Sequence, residues 1–222
     1  APQIVSMNPA ANYYKDRIPL KITIKDDTGV DSVRIQVSRT KADWTDAGKI
    51  SFENKGKKET AEYTLNLTNY DEGSIFVRAV AVDTLENEME KDIPFVEYIV
   101  DRTAPTVPKG LKTDVSKGRI ELKWEQNEEE DISSYVLYRS ADGENYEKIA
   151  DDIQYLNYWE VNTERGQTFW YQLAAKDKAG NISERTEAVL AVVPEDTQAP
   201  VMESSLIKDG DIIGGDNKIF RI

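Results

Sequence analysis

The chain has 222 residues, 39% of them hydrophobic, and a formal net charge of −13. That charge repels nucleic acid and anionic membranes, and no apolar run approaches the ~18 residues that a membrane-spanning helix needs. There is no His and no Cys, which excludes a Ser-His-Asp triad, a Cys nucleophile, disulfides and ordinary zinc or copper sites; oxygen ligands remain, and these suit calcium or magnesium.

The first hundred residues alternate with period 2, the mark of half-buried strands. Ile18, Leu20, Ile22 and Ile24 fall on one face, with Lys21, Thr23 and Lys25 on the other. Val33, Ile35 and Val37 follow, then Tyr63, Leu65 and Leu67, then Ile75, Val77, Ala79 and Ala81, and last Val96, Tyr98 and Val100. DDTG at 26–29, ENKGKK at 53–58 and NYDEG at 69–73 punctuate them as turns. No long amphipathic helix is visible. The order predicts a seven-strand sandwich.

The following residues repeat the pattern. Ile120, Leu122 and Trp124 share a face, as do Tyr135 and Leu137, and then Phe169, Tyr171, Leu173 and Ala175. SADGENY at 140–146 carries an Asp-Gly hairpin signal.

Two landmarks recur in phase. DRTAP begins at Asp101 and DTQAP at Asp196, 95 residues later. AVAVDTLEN (79–87) and LAAKDKAGN (173–181) both read Ala-x-Asp-x-x-x-Asn, and they precede those joints by matched offsets. The spacing is that of an immunoglobulin-like sandwich. APVMESSLIKDG, from Ala199, echoes the opening of the chain. The expected organisation is an Ig-like sandwich over 1–102, a second sandwich over 103–195, and the truncated start of a third Ig-like module over 196–222. The Ala-Pro joints keep neighbours apart, because Pro holds itself and the preceding residue extended.

VPKGL at 107–111, LKW at 122–124, DISSYVLYRSADG at 131–143 and QTFWYQLAAKDKAGNIS at 167–183 resemble bacterial fibronectin type III modules. DDTGVDSV at 26–33 and the stretch from YDEG to AVAVD resemble bacterial Ig-like domains. The resemblance implies an all-β fold of tandem immunoglobulin-like β-sandwiches in a linear array. It also implies a place in stalks of surface adhesins or in accessory regions of secreted enzymes. Phe169 stands where fibronectin type III modules usually carry Tyr, so the corner hydrogen bond of that residue is expected to be missing.

Two sets of side chains are candidates for a site. Asp26, Asp27, Asp83 and Asn87 are expected at one end of the first module; Asp101, Asp131, Asp177 and Asn181 are expected at the joint between modules. Converging hard oxygens there point to calcium at domain junctions; the competing reading is solvated loops in which each Asn closes a turn. Tyr138 and Trp170 fall out of phase with the inward residues of neighbouring strands, and so form a candidate exposed aromatic pair for a sugar ring or a protein partner; cross-strand stabilisation is the other reading. YLNYW at 155–159 and Trp44 read as packing between sheets and loops. Paired carboxylates can hydrolyse glycosides without His, but tight sandwich loops offer little cleft, so no catalysis is expected.

The expected role is non-enzymatic: a spacer, presentation or adhesion module of a bacterial extracellular multidomain protein. Its partners are neighbouring domains of a longer chain, and an extracellular protein or glycan, with no nucleic acid and no membrane insertion. The alternatives are a carbohydrate- or protein-binding module and accessory domains of a secreted hydrolase. The expected location is extracellular or at the bacterial cell surface.

Overall fold

The computed structural model describes residues 1–89, 92–116, 118–161 and 163–195; the third module expected over 196–222 lies outside them. The described residues form strands and loops and contain no helix.

The first eight strands are β1 (Gln3–Asn8), β2 (Tyr13–Tyr14), β3 (Arg17–Lys25), β4 (Val30–Ser38), β5 (Thr45–Ser51), β6 (Lys58–Asn66), β7 (Gly73–Asp83) and β8 (Phe95–Val100). They make a three-stranded sheet, β1-β3-β6, and a five-stranded sheet, β2-β8-β7-β4-β5. The alternation read from the sequence sets the faces. Ile18, Leu20, Ile22 and Ile24 point into the core, where they meet Val33, Ile35, Ile75 and Val77 from the other sheet. The sandwich has eight strands rather than the expected seven. Its first strand breaks after Asn8, and the chain crosses to the second sheet, where β2 pairs parallel with β8. The Tyr98 hydroxyl fixes the crossing by donating to the Pro9 carbonyl at 2.7 Å.

The remaining strands are β9 (Lys112–Ser116), β10 (Arg119–Lys123), β11 (Ile132–Ser140), β12 (Glu147–Ile153), β13 (Asn157–Glu160), β14 (Thr168–Asp177) and β15 (Val189–Val192). Their sheets are β13-β10-β9 and β12-β11-β14-β15, a seven-strand sandwich. A separate core fills it, built on Ile120, Leu122, Trp124, Leu137, Tyr171 and Leu173. The hairpin signal holds: Asp142 accepts from the Glu144 and Asn145 amides and closes the β11–β12 turn. Phe169, where a Tyr was missed, lies under the Arg139 guanidinium at 4.9 Å. Its neighbour Tyr171 supplies a hydroxyl donor instead, to Glu160.

One glycine is set by packing alone. A Cβ at Gly48 would stand 2.5 Å from the Tyr63 ring, whose hydroxyl donates to the Ala47 carbonyl. Gly48→Ala therefore overpacks the first sandwich and lowers its stability by about 1–3 kcal/mol in chemical denaturation. A neutral result would show that the β5–β6 contact is looser than described.

Candidate functional site

The segment between the sandwiches, 101–111, joins no strand. Prolines at 105 and 108 supply no amide donor. Polar groups in such a segment need side-chain partners where they are buried. The first half finds them on the first module. The Asp101 amide donates to the Tyr14 carbonyl at 3.0 Å. Glu72 takes the Arg102 amide at 2.8 Å on one oxygen and the Thr103 hydroxyl at 3.0 Å on the other. The Arg102 guanidinium donates to the carbonyls of Tyr70 (3.2 Å) and Leu67 (2.7 Å).

The second half is bonded to the second module. Glu129 accepts the Thr106 amide at 2.6 Å, and that bond is the main reason its carboxyl is lowered to about 2. Asn127 Nδ2 donates to the Thr106 carbonyl at 2.8 Å, and the Glu125 amide to the Lys109 carbonyl at 2.9 Å. Lys178 of the second module lies over the Tyr13 ring of the first at 5.2 Å. The joint is thus stitched along its length, not merely stiffened by Pro.

The repeated Ala-x-Asp-x-x-x-Asn segments are turn clamps of one design. At the end of β7, Asp83 accepts the Asn87 amide (2.8 Å) and Asn87 Nδ2 (2.8 Å), and the Asp83 amide donates back to the Asn87 carbonyl (3.0 Å). At the end of β14, Asp177 accepts the Asn181 amide (2.8 Å) and Nδ2 (2.9 Å), and its own amide returns to the Asn181 carbonyl (3.1 Å). The third residue after each Asp is left-handed, Glu86 at φ 66° and Gly180 at φ 87°. The Asn87 side chain is the largest cause holding the Asp83 carboxyl below the usual range. Asn181 does one thing more: its Nδ2 also reaches the Asp101 carbonyl at 3.2 Å and joins the second module to the linker.

These bonds occupy both carboxylate oxygens of Asp83 and of Asp177, two of the residues expected to take calcium. Asp26 accepts the amide and hydroxyl of Thr28, Asp27 is exposed, and the Asp131 carbonyl receives the Lys178 amide at 2.8 Å. Asp26, Asp27, Asp83 and Asn87 do line one cleft, as the loop assignment required. Among the described residues, however, no three carboxylates stand close enough together to hold a metal ion. Asp101 and Asn181 each keep one buried oxygen without a hydrogen-bond partner, Oδ2 and Oδ1.

Tyr138 and Trp170 lie at diagonal register positions of β11 and β14, since Tyr138 faces Gln172 and Trp170 faces Ser140. Both are half-buried rather than exposed. Arg185 covers the Tyr138 ring at 3.8 Å, and the Gly143 turn backs Trp170. The expected open platform is therefore roofed. The reading of YLNYW as packing also needs correction: Tyr155 is 77% exposed on the β12–β13 turn, and Trp159 is 46% exposed because it alternates outward on β13 while Tyr158 packs inward. Trp44 does pack, beneath Arg78 at 4.2 Å and beside Phe95. Glu72 and Arg102 were missed, because a charged loop residue carries no sequence mark of the backbone it will hold.

The folds found by comparison agree with this architecture. Over 88% of its length the chain superposes on the FN1–FN3 domains of chicken CNTN1, with a TM-score of 0.61, 12% identity and 68% of that chain covered. The fibronectin(III)-like modules of Clostridium thermocellum CbhA align over 90% of this chain and 100% of theirs, with a TM-score of 0.51 and 17% identity. The chain has the fold of tandem fibronectin type III modules. No family model matches it. In sequence it is 34% identical over 85 residues to an amylopullulanase of Thermoanaerobacterium saccharolyticum, which covers 38% of this chain and 6% of that protein. It is 28% identical over 131 residues to chitinase A1 of Niallia circulans, covering 55% of this chain and 18% of that one. The chain thus spans a small fraction of the length of the curated relatives it matches.

Burial, first, and then the charges of Asp177, Asp131 and Glu72 raise the Asp101 carboxyl above the usual Asp range. A raised folded-state value contributes stability at low pH and loses it as pH rises through that value. Asp101→Asn keeps the acceptor for the Thr103 amide and removes the charge, so it melts a few degrees higher than the parent at pH 7. The two melting curves converge as pH falls through the carboxylate range. Asp177→Ala does the opposite: it strands the Asn181 amide and side chain, and costs the second module about 1–3 kcal/mol. Differential scanning calorimetry of the three proteins from pH 3 to 8 checks both signs.

Proposed function

We propose that the chain is a non-catalytic spacer segment of a bacterial, extracellular, polysaccharide-degrading enzyme, holding other domains of that protein at a set separation. The observation that carries this reading is the linker, whose two halves are hydrogen-bonded to the modules on either side. A loose tether has no use for such bonds, whereas a spacer of fixed length requires them. Two sandwiches with separate cores supply the length. The partial matches to an amylopullulanase and a chitinase support the setting, since both names denote enzymes acting on polysaccharides and both align over only part of their own length. The acidic surface suits a soluble segment outside the cell. Among the alternatives, accessory domains of a secreted hydrolase is thus the one that the comparisons favour, and nothing in the geometry favours adhesion over it.

Two measurements test the reading. The chain alone should release no reducing ends from soluble starch, pullulan or chitin above the blank; release that scales with protein and is lost on changing an acidic loop residue would overturn it. Within the full-length protein, replacing 101–110 by a flexible Gly-Ser segment of equal length should lower turnover on insoluble substrate and leave turnover on soluble oligosaccharide unchanged. Equal turnover on both substrates would remove the need for a fixed joint.

A further inference from the structure

The two Ala-x-Asp-x-x-x-Asn turns close in the same way but differ in what covers them. In each module the residue after the Asp gives its amide to the facing loop, Thr84 to the Gly29 carbonyl at 3.0 Å and Lys178 to the Asp131 carbonyl at 2.8 Å. The turns thus hold equivalent places in their sandwiches. Asn181 is 3% exposed, where the linker lies against it and takes its Nδ2 at the Asp101 carbonyl. Asn87 is exposed, and among the described residues its Nδ2 bonds only Asp83. Next to Thr84, which stands where Lys178 reaches the Tyr13 ring of the module before it, Leu85 is 66% exposed.

Two clefts open at this end of the first sandwich, of about 1030 and 520 Å³, and Ala1, Gln3 and Asn87 line both. Charges of both signs stand around them: Lys25 and Lys57 beside Asp26 and Asp27 in the smaller, and Glu88, paired with Arg34, in the larger. Such a surface suits a backbone segment, which brings carbonyls and amides and no net charge. Ala1-Pro2 repeats Ala104-Pro105, and Asp101 stands three residues before the second Ala-Pro. A linker entering the first sandwich in the same register therefore brings to Asn87 the carbonyl of the residue three before Ala1.

We infer that this end of the first sandwich is a docking surface for another β-sandwich joined ahead of Ala1, whose closing linker accepts from Asn87 Nδ2 and whose base covers Leu85. Continuity with the joint at 101–111 selects this occupant, because the same turn already seats a linker once in this chain, at Asn181. The inference goes beyond the spacer reading, which needs only the joint at 101–111 and survives failure here.

The test is a fusion that places a second copy of residues 1–103 directly ahead of Ala1 of the full chain, so that Asp101-Arg102-Thr103 of the copy precedes Ala1-Pro2. The copy carries the whole first core and the groups that hold its own half of the linker, Glu72 and Arg102. With nitroxides at exposed Thr64 of the copy and Thr64 of the chain, pulsed electron paramagnetic resonance should give a single narrow distance distribution. Leu85→Ser with Asn87→Ala in the chain should broaden it. Leu85→Ser alone, at an exposed position outside the core, should also broaden it and leave the melting temperature of the unfused chain unchanged, which separates docking from folding. The Asn87 side-chain amide should exchange its protons with solvent about tenfold more slowly in the fusion than in the unfused chain. A broad distribution in the fusion, a narrow one that the substitutions leave unchanged, or equal Asn87 exchange with and without the copy would each overturn the inference. Labels at Thr64 and Glu144 of the unfused chain report the joint at 101–111 separately, so failure of the spacer reading shows there and not in the fusion.

Discussion

Everything distinctive about this molecule depends on how the segment 101–111 satisfies its own backbone. It belongs to no sheet and has no ladder to join. Buried carbonyls and amides without partners cost as much as lost hydrogen bonds, so a joint of this kind either stays in water or recruits side chains. Here it recruits Glu72 on one side, and Glu129, Asn127 and Asn181 on the other, while its own Arg102 reaches out to the Leu67 carbonyl of the first module. The consequence is mechanical: a linker bonded along both halves loses the freedom that would let the sandwiches swing. The Asp-to-Asn clamp on the β14 turn belongs to the same device. It fixes Asn181 so that one amide group bonds both its own turn and the linker of the module before it.

Much of the architecture was legible in the sequence, because strands with one buried face write their period into it. Every residue of the Ile18-to-Ile24 stripe is buried where alternation put it, and the in-phase repeat of DRTAP and the Asp-Asn motif marked where one core ends and the next begins. The extra strand in the first sandwich was not legible. It depends on where the chain changes sheets after Asn8, which is decided by the long-range bond from Tyr98 to Pro9 and not by any local pattern.

The site was legible only in its parts. The acids were found, and the loops that bring Asp26, Asp83 and Asn87 to one cleft were placed, but Asp26 and Asp83, which read as metal ligands, also bond to backbone within their own turns. Charge composition cannot separate those uses, since an Asp that caps a turn and an Asp that binds a cation look alike in sequence. The aromatics erred in the opposite direction. Strand phase correctly sent Tyr138 and Trp170 away from the core, yet Arg185 and the Gly143 turn cover them. Tyr155 was exposed by turn geometry that no periodicity records.

The absence of cysteine from the chain makes the central claim directly measurable, because engineered thiols can be labelled without background. Nitroxides at exposed Thr64 on the first sandwich and exposed Glu144 on the second report the distance between modules by pulsed electron paramagnetic resonance. A stitched joint predicts a single narrow distance distribution that broadens when Glu72 and Asn181 are both changed to Ala. A broad distribution in the parent protein, unchanged by those substitutions, would contradict the account: the sandwiches would then be beads on a loose string.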